Sequence, residues 1–268
     1  MTTTTTTTTT TMATAATAAN APAYPLAGQL RASARSLFLS NETVDWTLES
    51  HTPDQLDACL GMLRHELDRR AGNKVTRMIK RAGFPVLKSL DGFDWSCVEF
   101  PEKWGLEEMT SLGFLDAAQD LVLYGDSGLG KTHVATGLGM LAASRGIPVR
   151  FHDVSSLISR LDRANRAGEL DVAIADATNA RLVILDEFGF VPYSVDGARL
   201  LFQVMSACYE RISIVLTTNV EFGLWGKVLP DPLLAKAAVD RMCHHGRLLQ
   251  FRGESYRLAN SLMMGRAT

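Results

Sequence analysis

The chain has 268 residues, 46% hydrophobic and 21% charged, with 27 lysines and arginines against 29 aspartates and glutamates, the composition of a globular protein with enough apolar surface for a real core. It excludes a small disulfide-stapled scaffold, and no window approaches the roughly 18 consecutive apolar residues of a membrane helix. Cys59, Cys97, Cys208 and Cys243 stand far apart without Cys-x-x-Cys spacing, and no basic stretch leads into an apolar one at the N-terminus, so neither a zinc site nor a secretory signal is expected and a reducing cytoplasm is the expected compartment.

Residues 1–50 read as a tail and lead-in. Ten threonines, Thr2 to Thr11, precede Met12 and an Ala/Thr mixture with no apolar face, which predicts disorder; a start at Met12 would remove the threonine run. Thr52-Pro53-Asp54-Gln55 then offers an N-cap, a proline at the first helical position and a glutamine at the third, so a helix is predicted to begin there. Leu56, Leu60, Leu63 and Leu67 form its apolar stripe. A second helical stretch uses Val75, Met78, Ile79 and Ala82 and stops at Gly83, with Pro85 beyond. Between Gly61 and Leu90 eight basic residues face two acidic ones. Arg69, Arg70, Lys74, Arg77, Lys80 and Arg81 are therefore candidate contacts to a phosphate backbone, and 51–90 a helical, basic DNA-binding or assembly region. The alternative is a solvated helix face.

From 91 to 120, Phe93, Trp95, Phe100, Trp104 and Phe114 are scattered among acids, which predicts a linker packed on the domain after it. Over 121–260 short apolar runs alternate with helical patterns: Leu121–Tyr124, Val149–His152, Leu182–Asp186, Ile212–Thr218 and Leu248–Phe251. That alternation predicts an α/β domain whose parallel sheet is covered on both faces and binds ligands at the carboxyl ends of its strands. Residues 261–268 form a C-terminal tail.

The first of those strands runs into Gly125-Asp126-Ser127-Gly128-Leu129-Gly130-Lys131-Thr132, which matches G-x-x-x-x-G-K-[ST] at every fixed position. Between a strand and a helix this loop turns backbone N–H groups and a helix N-terminus onto an anion; Lys131 supplies charge to the β- and γ-phosphates of ATP, and the Thr132 hydroxyl can hold Mg2+. Leu182-Val183-Ile184-Leu185-Asp186-Glu187 supplies four apolar residues and then two acids where a buried strand surfaces. Asp186 would orient Mg2+ and its waters, and Glu187 would act as general base on the attacking water, unless it is only a solvated strand-end carboxylate. Asn219, after Thr217-Thr218, can donate and accept at the same sheet edge, or is simply a turn-forming residue.

Taken together, the phosphate loop, Asp186-Glu187-Phe188-Gly189-Phe190-Val191-Pro192, Thr217-Thr218-Asn219, Asp240-Arg241 and Gly253-Glu254-Ser255-Tyr256-Arg257 resemble the IstB ATPases, transposition helpers of insertion sequences related to the DnaC helicase loaders of the AAA+ class. Arg81-Ala82-Gly83-Phe84-Pro85, Lys88-Ser89-Leu90 and Phe93-Asp94 resemble the segment ahead of that family's ATPase domain, so the likeness spans about residues 54–260. The resemblance implies an AAA+ P-loop fold with a five-stranded parallel sheet, preceded by a small helical N-terminal domain. It also implies ATP-dependent assembly into a homo-oligomer, sequence-independent binding of duplex DNA and stimulation of a partner transposase. Arg241 falls where the family carries an arginine finger that reaches a neighbouring subunit's nucleotide, and Arg257 where it carries a sensing arginine. From the residues alone, Arg241 beside Asp240 is more often a surface ion pair and Arg257 a solvated strand-end charge. Cys243, His244 and His245 are adjacent, so they are not expected to converge on a metal. The rival functions are a helicase loader, a nucleotide-gated DNA-binding module with incidental hydrolysis, and a small-molecule kinase, which lacks a recognisable acceptor pocket.

Overall fold

The structure, a computed structural model, describes residues 25–256; the threonine run and Arg257 lie outside the described residues. The chain divides into two compact units, Met1–Arg70 and Ala71–Thr268.

The first unit is helical. α1 (Pro25–Ser36) and α2 (Asn41–Ser50) precede α3 (Pro53–Ala82), whose residues up to Arg70 belong to this unit, and Leu30, Ala34, Val44 and Leu63 form its buried cluster. The lead-in, for which the sequence offers no element, is helical from residue 25 onward. Leu30 and Ala34 lie one turn apart on α1, with Leu37 just past its end, a stripe short enough to escape notice among alanines and serines, and Ser40 caps α2 by accepting the Thr43 N–H at 3.2 Å. The predicted start of α3 is where the structure has it, with Thr52 N–H donating to Gln55 Oε1 at 2.9 Å. The two predicted helical stretches are one 30-residue helix. Gly72 does not break it: a glycine inside a helix costs only about 1 kcal/mol, which the hydrogen-bonded turns on either side outweigh.

In the second unit, β1 (Val98–Glu99), α4 (Leu106–Ser111), β2 (Asp120–Gly125), α5 (Lys131–Ser144), β3 (Val149–Asp153), α6 (Val154–Arg166), α7 (Leu170–Ala177), β4 (Leu182–Phe188), α8 (Val195–Cys208), β5 (Ser213–Thr218), α9 (Trp225–Val228), α10 (Pro232–His244) and β6 (Gly246–Phe251) follow in order. The sheet order is β1-β6-β2-β5-β4-β3. Five strands are parallel, as expected, and β1 adds an antiparallel edge through Val98↔Phe251 and Glu99↔Gln250.

Both faces are covered, so the strands are mostly apolar and their alternation shows in which core each apolar side chain enters. Leu121, Leu123, Leu182 and Ile184 join the α5 side with Val134, Ala135 and Leu138. Val122, Val183 and Leu185 join Leu157 and Leu161 of α6, Leu201 and Val204 of α8, and Ala238 and Met242 of α10. The segment 91–120 is built into the first of these cores. Its aromatic rings form a chain, Phe93 to Trp95 at 4.8 Å, Trp95 to Phe100 at 6.2 Å and Phe100 to Trp104 at 6.4 Å between centroids. No helix among the described residues is long and apolar enough to cross a membrane.

Candidate nucleotide site

β2 is buried along its length and delivers the chain to Gly125 at the carboxyl edge of the sheet. The loop then turns through left-handed glycines, Gly128 at φ +87° and Gly130 at φ +91°, the latter capping the N-terminus of α5. A side chain at either position has nowhere to go. A Cβ on Gly128 would lie 2.1 Å from Ser255 Oγ, and one on Gly130 would lie 2.7 Å from the Phe93 ring. The loop backbone therefore stays bare toward the cavity, which is what close approach of a phosphate requires. Lys131 reaches back from the first turn of α5, its Nζ donating to the carbonyls of Gly125 and Asp126, both at 2.6 Å.

Two strands over, β4 carries the acids. Asp186 is 6% exposed, and burial pushes its carboxyl above the usual carboxylate range, opposed by two hydroxyls that donate to its Oδ1: Thr217 at 2.6 Å and Thr132 at 2.8 Å. Asp153, its partner across the β3–β4 register, adds repulsion that raises it further. A divalent cation would relieve that penalty. The phosphate-loop hydroxyl and a buried carboxylate, within hydrogen-bonding distance of each other, are the hard oxygen donors that Mg2+ takes.

Glu187, next along, points the other way. It adopts φ +61°, the left-handed region rare for a residue with a side chain, and is exposed into the cavity. The cause is a bulge. Leu185 pairs with Leu216 and Phe188 with Thr218, so Asp186 and Glu187 together face the single residue Thr217 on β5. The Thr217 hydroxyl accepts the Glu187 N–H at 3.0 Å and fixes the turn. Because β5 lies between β2 and β4, its end places Asn219 on the same cavity.

That cavity has a volume of about 930 Å³ and is lined by the phosphate loop, Glu187 and Asn219 on one side and by the segment around Phe93 on another. At the C-terminal end of the described residues Tyr256 N–H donates to Gly128 O at 3.1 Å. The predicted residues Gly125 to Thr132, Asp186, Glu187 and Asn219 thus come together. Arg241 does not join them. It lies on α10 with its guanidinium 4.4 Å from the centroid of Phe202 and 5.6 Å from that of Tyr209, donating to Ser206 Oγ; among the described residues it makes no ion pair with Asp240. Arg69, Arg70, Lys74, Arg77, Lys80 and Arg81 are all exposed on α3, and Arg70 pairs with Glu66 at 2.8 Å. Sequence reasoning missed Thr217, Phe93 and Ser255. The one local signal was a threonine interrupting the apolar run of β5.

A phosphate loop after β2, an acid pair at the end of β4 and a polar strand end between them define a P-loop nucleotide-binding protein. The chain belongs to the IstB-like ATP binding protein family, whose profile matches residues 39–263. It is 33% identical over 217 residues to a protein named for ATP binding in insertion sequence IS232 of Bacillus thuringiensis subsp. berliner, covering 81% of this chain and 86% of that one. It is 34% identical over 203 residues to the counterpart named in insertion sequence IS21 of Pseudomonas aeruginosa, covering 76% and 77%. Among solved structures, the DnaC helicase loader shares 18% identity with a TM-score of 0.49, covering 61% of this chain and 96% of that one.

Proposed function

We propose that this protein is a Mg2+-dependent ATPase that assembles on duplex DNA as a homo-oligomer and recruits or activates the transposase of its insertion sequence. The observation that carries the ATPase reading is the hydrogen-bonded set Thr132–Asp186–Thr217–Glu187, which holds one acid inward beside the phosphate loop and turns the next into the cavity. Mg2+, when bound by Thr132 and Asp186, supplies positive charge to the phosphate oxygens. Lys131 and the loop amides bind the phosphates; Glu187 accepts a proton from the attacking water, and Asn219 orients that water.

The partner reading is supported by the family and by the insertion-sequence names of the relatives. The exposed cations of α3, Arg69, Arg70, Lys74, Arg77, Lys80 and Arg81, fit the neutralisation of a DNA backbone without sequence selection. Arg241, turned toward α8 and not toward its own chain's cavity, acts on a neighbouring subunit's nucleotide in this reading, and Arg257 on the nucleotide's phosphates. Bound ATP then holds the assembly on DNA and hydrolysis releases it, in the bacterial cytoplasm.

The test is ATP-dependent assembly on duplex DNA, followed by light scattering at two salt concentrations, together with phosphate release. Lys131→Ala is expected to lose nucleotide binding and assembly. Glu187→Gln is expected to bind ATP, persist on DNA and release no phosphate; normal turnover by this variant would refute the base assignment. Pull-down of a replicative helicase and no transposase would make the protein a helicase loader.

A further inference from the structure

Adjacency in sequence argues against convergence of Cys243, His244 and His245 on one point, and a third group from another helix changes that. α10 ends at His244, and His245 steps out of the helix as its C-cap with φ −118° and ψ 6°, so the two rings are not splayed as successive helical residues would be; their centroids are 4.1 Å apart. α8 ends at Cys208, and the chain turns through Tyr209 to Glu210, which takes a left-handed φ of +57°. One ligand atom from each of Glu210, His244 and His245 lies within 4.8 Å of the others, and Cys243 stays outside the cluster. The contact between His245 Nε2 and Glu210 Oε1 is 3.3 Å.

Ligand atoms around a tetrahedral zinc, at bonds of about 2.0–2.1 Å, stand roughly 3.3 Å apart, so rotations of the exposed Glu210 and His244 side chains toward the half-buried His245 close the set. Two further features favour a cation. The Tyr209 hydroxyl bonds His244 Nδ1 at 2.9 Å, which leaves Nε2 for coordination and supplies the outer partner that orients a metal-bound imidazole. The C-termini of α8 and α10, helices of 14 and 13 residues, both end here, and each contributes the negative end of its dipole.

We propose that Glu210, His244 and His245 form a surface site for a divalent transition cation, Zn2+ foremost, with two imidazoles, one carboxylate and a remaining position open to water. Its chemistry is distinct from the nucleotide site: imidazoles suit Zn2+, whereas the hydroxyl and carboxylate of Thr132 and Asp186 suit Mg2+. Occupancy fastens the ends of α8 and α10 one turn beyond Arg241, whose guanidinium neighbours the same Tyr209 ring that holds His244. The site would therefore set how tightly Arg241 is kept against α8.

The experiment is calorimetric titration of ZnCl2 into the full, tag-free chain after chelator treatment, in a non-coordinating buffer without nucleotide. Wild type is expected to take one equivalent. His245→Ala and Glu210→Gln should each weaken it more than tenfold, Tyr209→Phe by about 10–100-fold, and Cys243→Ser not at all. Co2+ should give tetrahedral absorption bands without a thiolate charge-transfer band. Glu210→Gln keeps the proposal testable if His245→Ala misfolds. Absence of Zn2+ uptake, uptake unchanged in both ligand variants, or uptake abolished by Cys243→Ser would overturn it.

Discussion

The Thr217 hydroxyl donates to Asp186 Oδ1 at 2.6 Å and accepts the Glu187 N–H at 3.0 Å. One side chain on β5 therefore holds two consecutive residues of β4 in opposite directions, the first buried beside Thr132 and the second turned into the cavity. The left-handed φ of Glu187 persists because this bond and the bulge around it over-determine the turn.

Replacing Thr217 by valine keeps the shape and removes both bonds. The Glu187 N–H loses the Thr217 acceptor, at a cost of about 1–3 kcal/mol where nothing replaces it, and Asp186 loses one of its two hydroxyl donors. Phosphate release is expected to fall by about 10–100-fold with nucleotide affinity nearly intact, since neither the loop nor Lys131 is touched. Thr217→Ser should restore most of the rate, and steady-state kinetics of the two variants with a nucleotide-binding isotherm provide the check.

Gly128→Ala tests the bare loop. A left-handed conformation costs a non-glycine residue about 1–2 kcal/mol, and the new methyl would lie 2.1 Å from Ser255 Oγ. Ser255 must move for the variant to fold, and the methyl then projects where a phosphate would approach. Binding of a fluorescent ATP analogue is expected to weaken by more than tenfold while the melting temperature falls by about 2–8 °C; unchanged binding would count against the loop as the phosphate cradle.

Much of this architecture is local and therefore legible in the sequence. The five strand runs coincide with β2 to β6 within two residues at each end, because parallel strands buried on both faces are continuous apolar stretches. Glycine spacing and the acid pair named the site for the same reason. Thr217 was not legible as a site residue, since its role depends on β5 lying between β2 and β4 and on a bulge that no residue of β4 announces. β1 is two residues long and has no pattern to read. The approach of Phe93 and Ser255 to the loop glycines joins segments far apart in sequence, and so does the meeting of Glu210 with His244 and His245.

His152 gives the second unit a pH dependence. Its ring is 8% exposed and its Nε2 lies 3.0 Å from Ala177 O, an acceptor only, so that nitrogen carries a proton and the neutral ring is satisfied. Burial lowers its pKa from the usual value of 6.5, with Arg160 and Arg150 adding repulsion against the opposing pull of the carbonyl and Asp176. An imidazole depressed in the folded state contributes stability that is whole above 6.5 and is lost as pH falls from there through the folded value. His152→Gln keeps an amide donor for Ala177 and cannot titrate. Between pH 7.5 and pH 5, melting temperatures are expected to fall more steeply for wild type than for this variant; parallel curves would contradict the assignment.

Action of Arg241 within a subunit and action between subunits can be separated. Arg241 packs on Phe202 and bonds Ser206 of its own chain, so Arg241→Ala alone could lose activity through lost packing, and a melting curve must accompany it. Mixing resolves the question. Glu187→Gln keeps an intact Arg241 and a disabled site, whereas Arg241→Ala keeps an intact Glu187 and lacks the guanidinium. An arginine that stabilises phosphoryl transfer contributes about a thousandfold or more to turnover, so each variant alone should be nearly silent. If Arg241 serves the neighbouring nucleotide, a mixed assembly places the guanidinium of a Glu187→Gln subunit beside the intact Glu187 site of an Arg241→Ala subunit. Phosphate release should then return to a measurable fraction of the wild-type rate, greatest near equal proportions. If Arg241 served its own chain's nucleotide, every subunit in the mixture would carry one defect and no ratio would recover turnover.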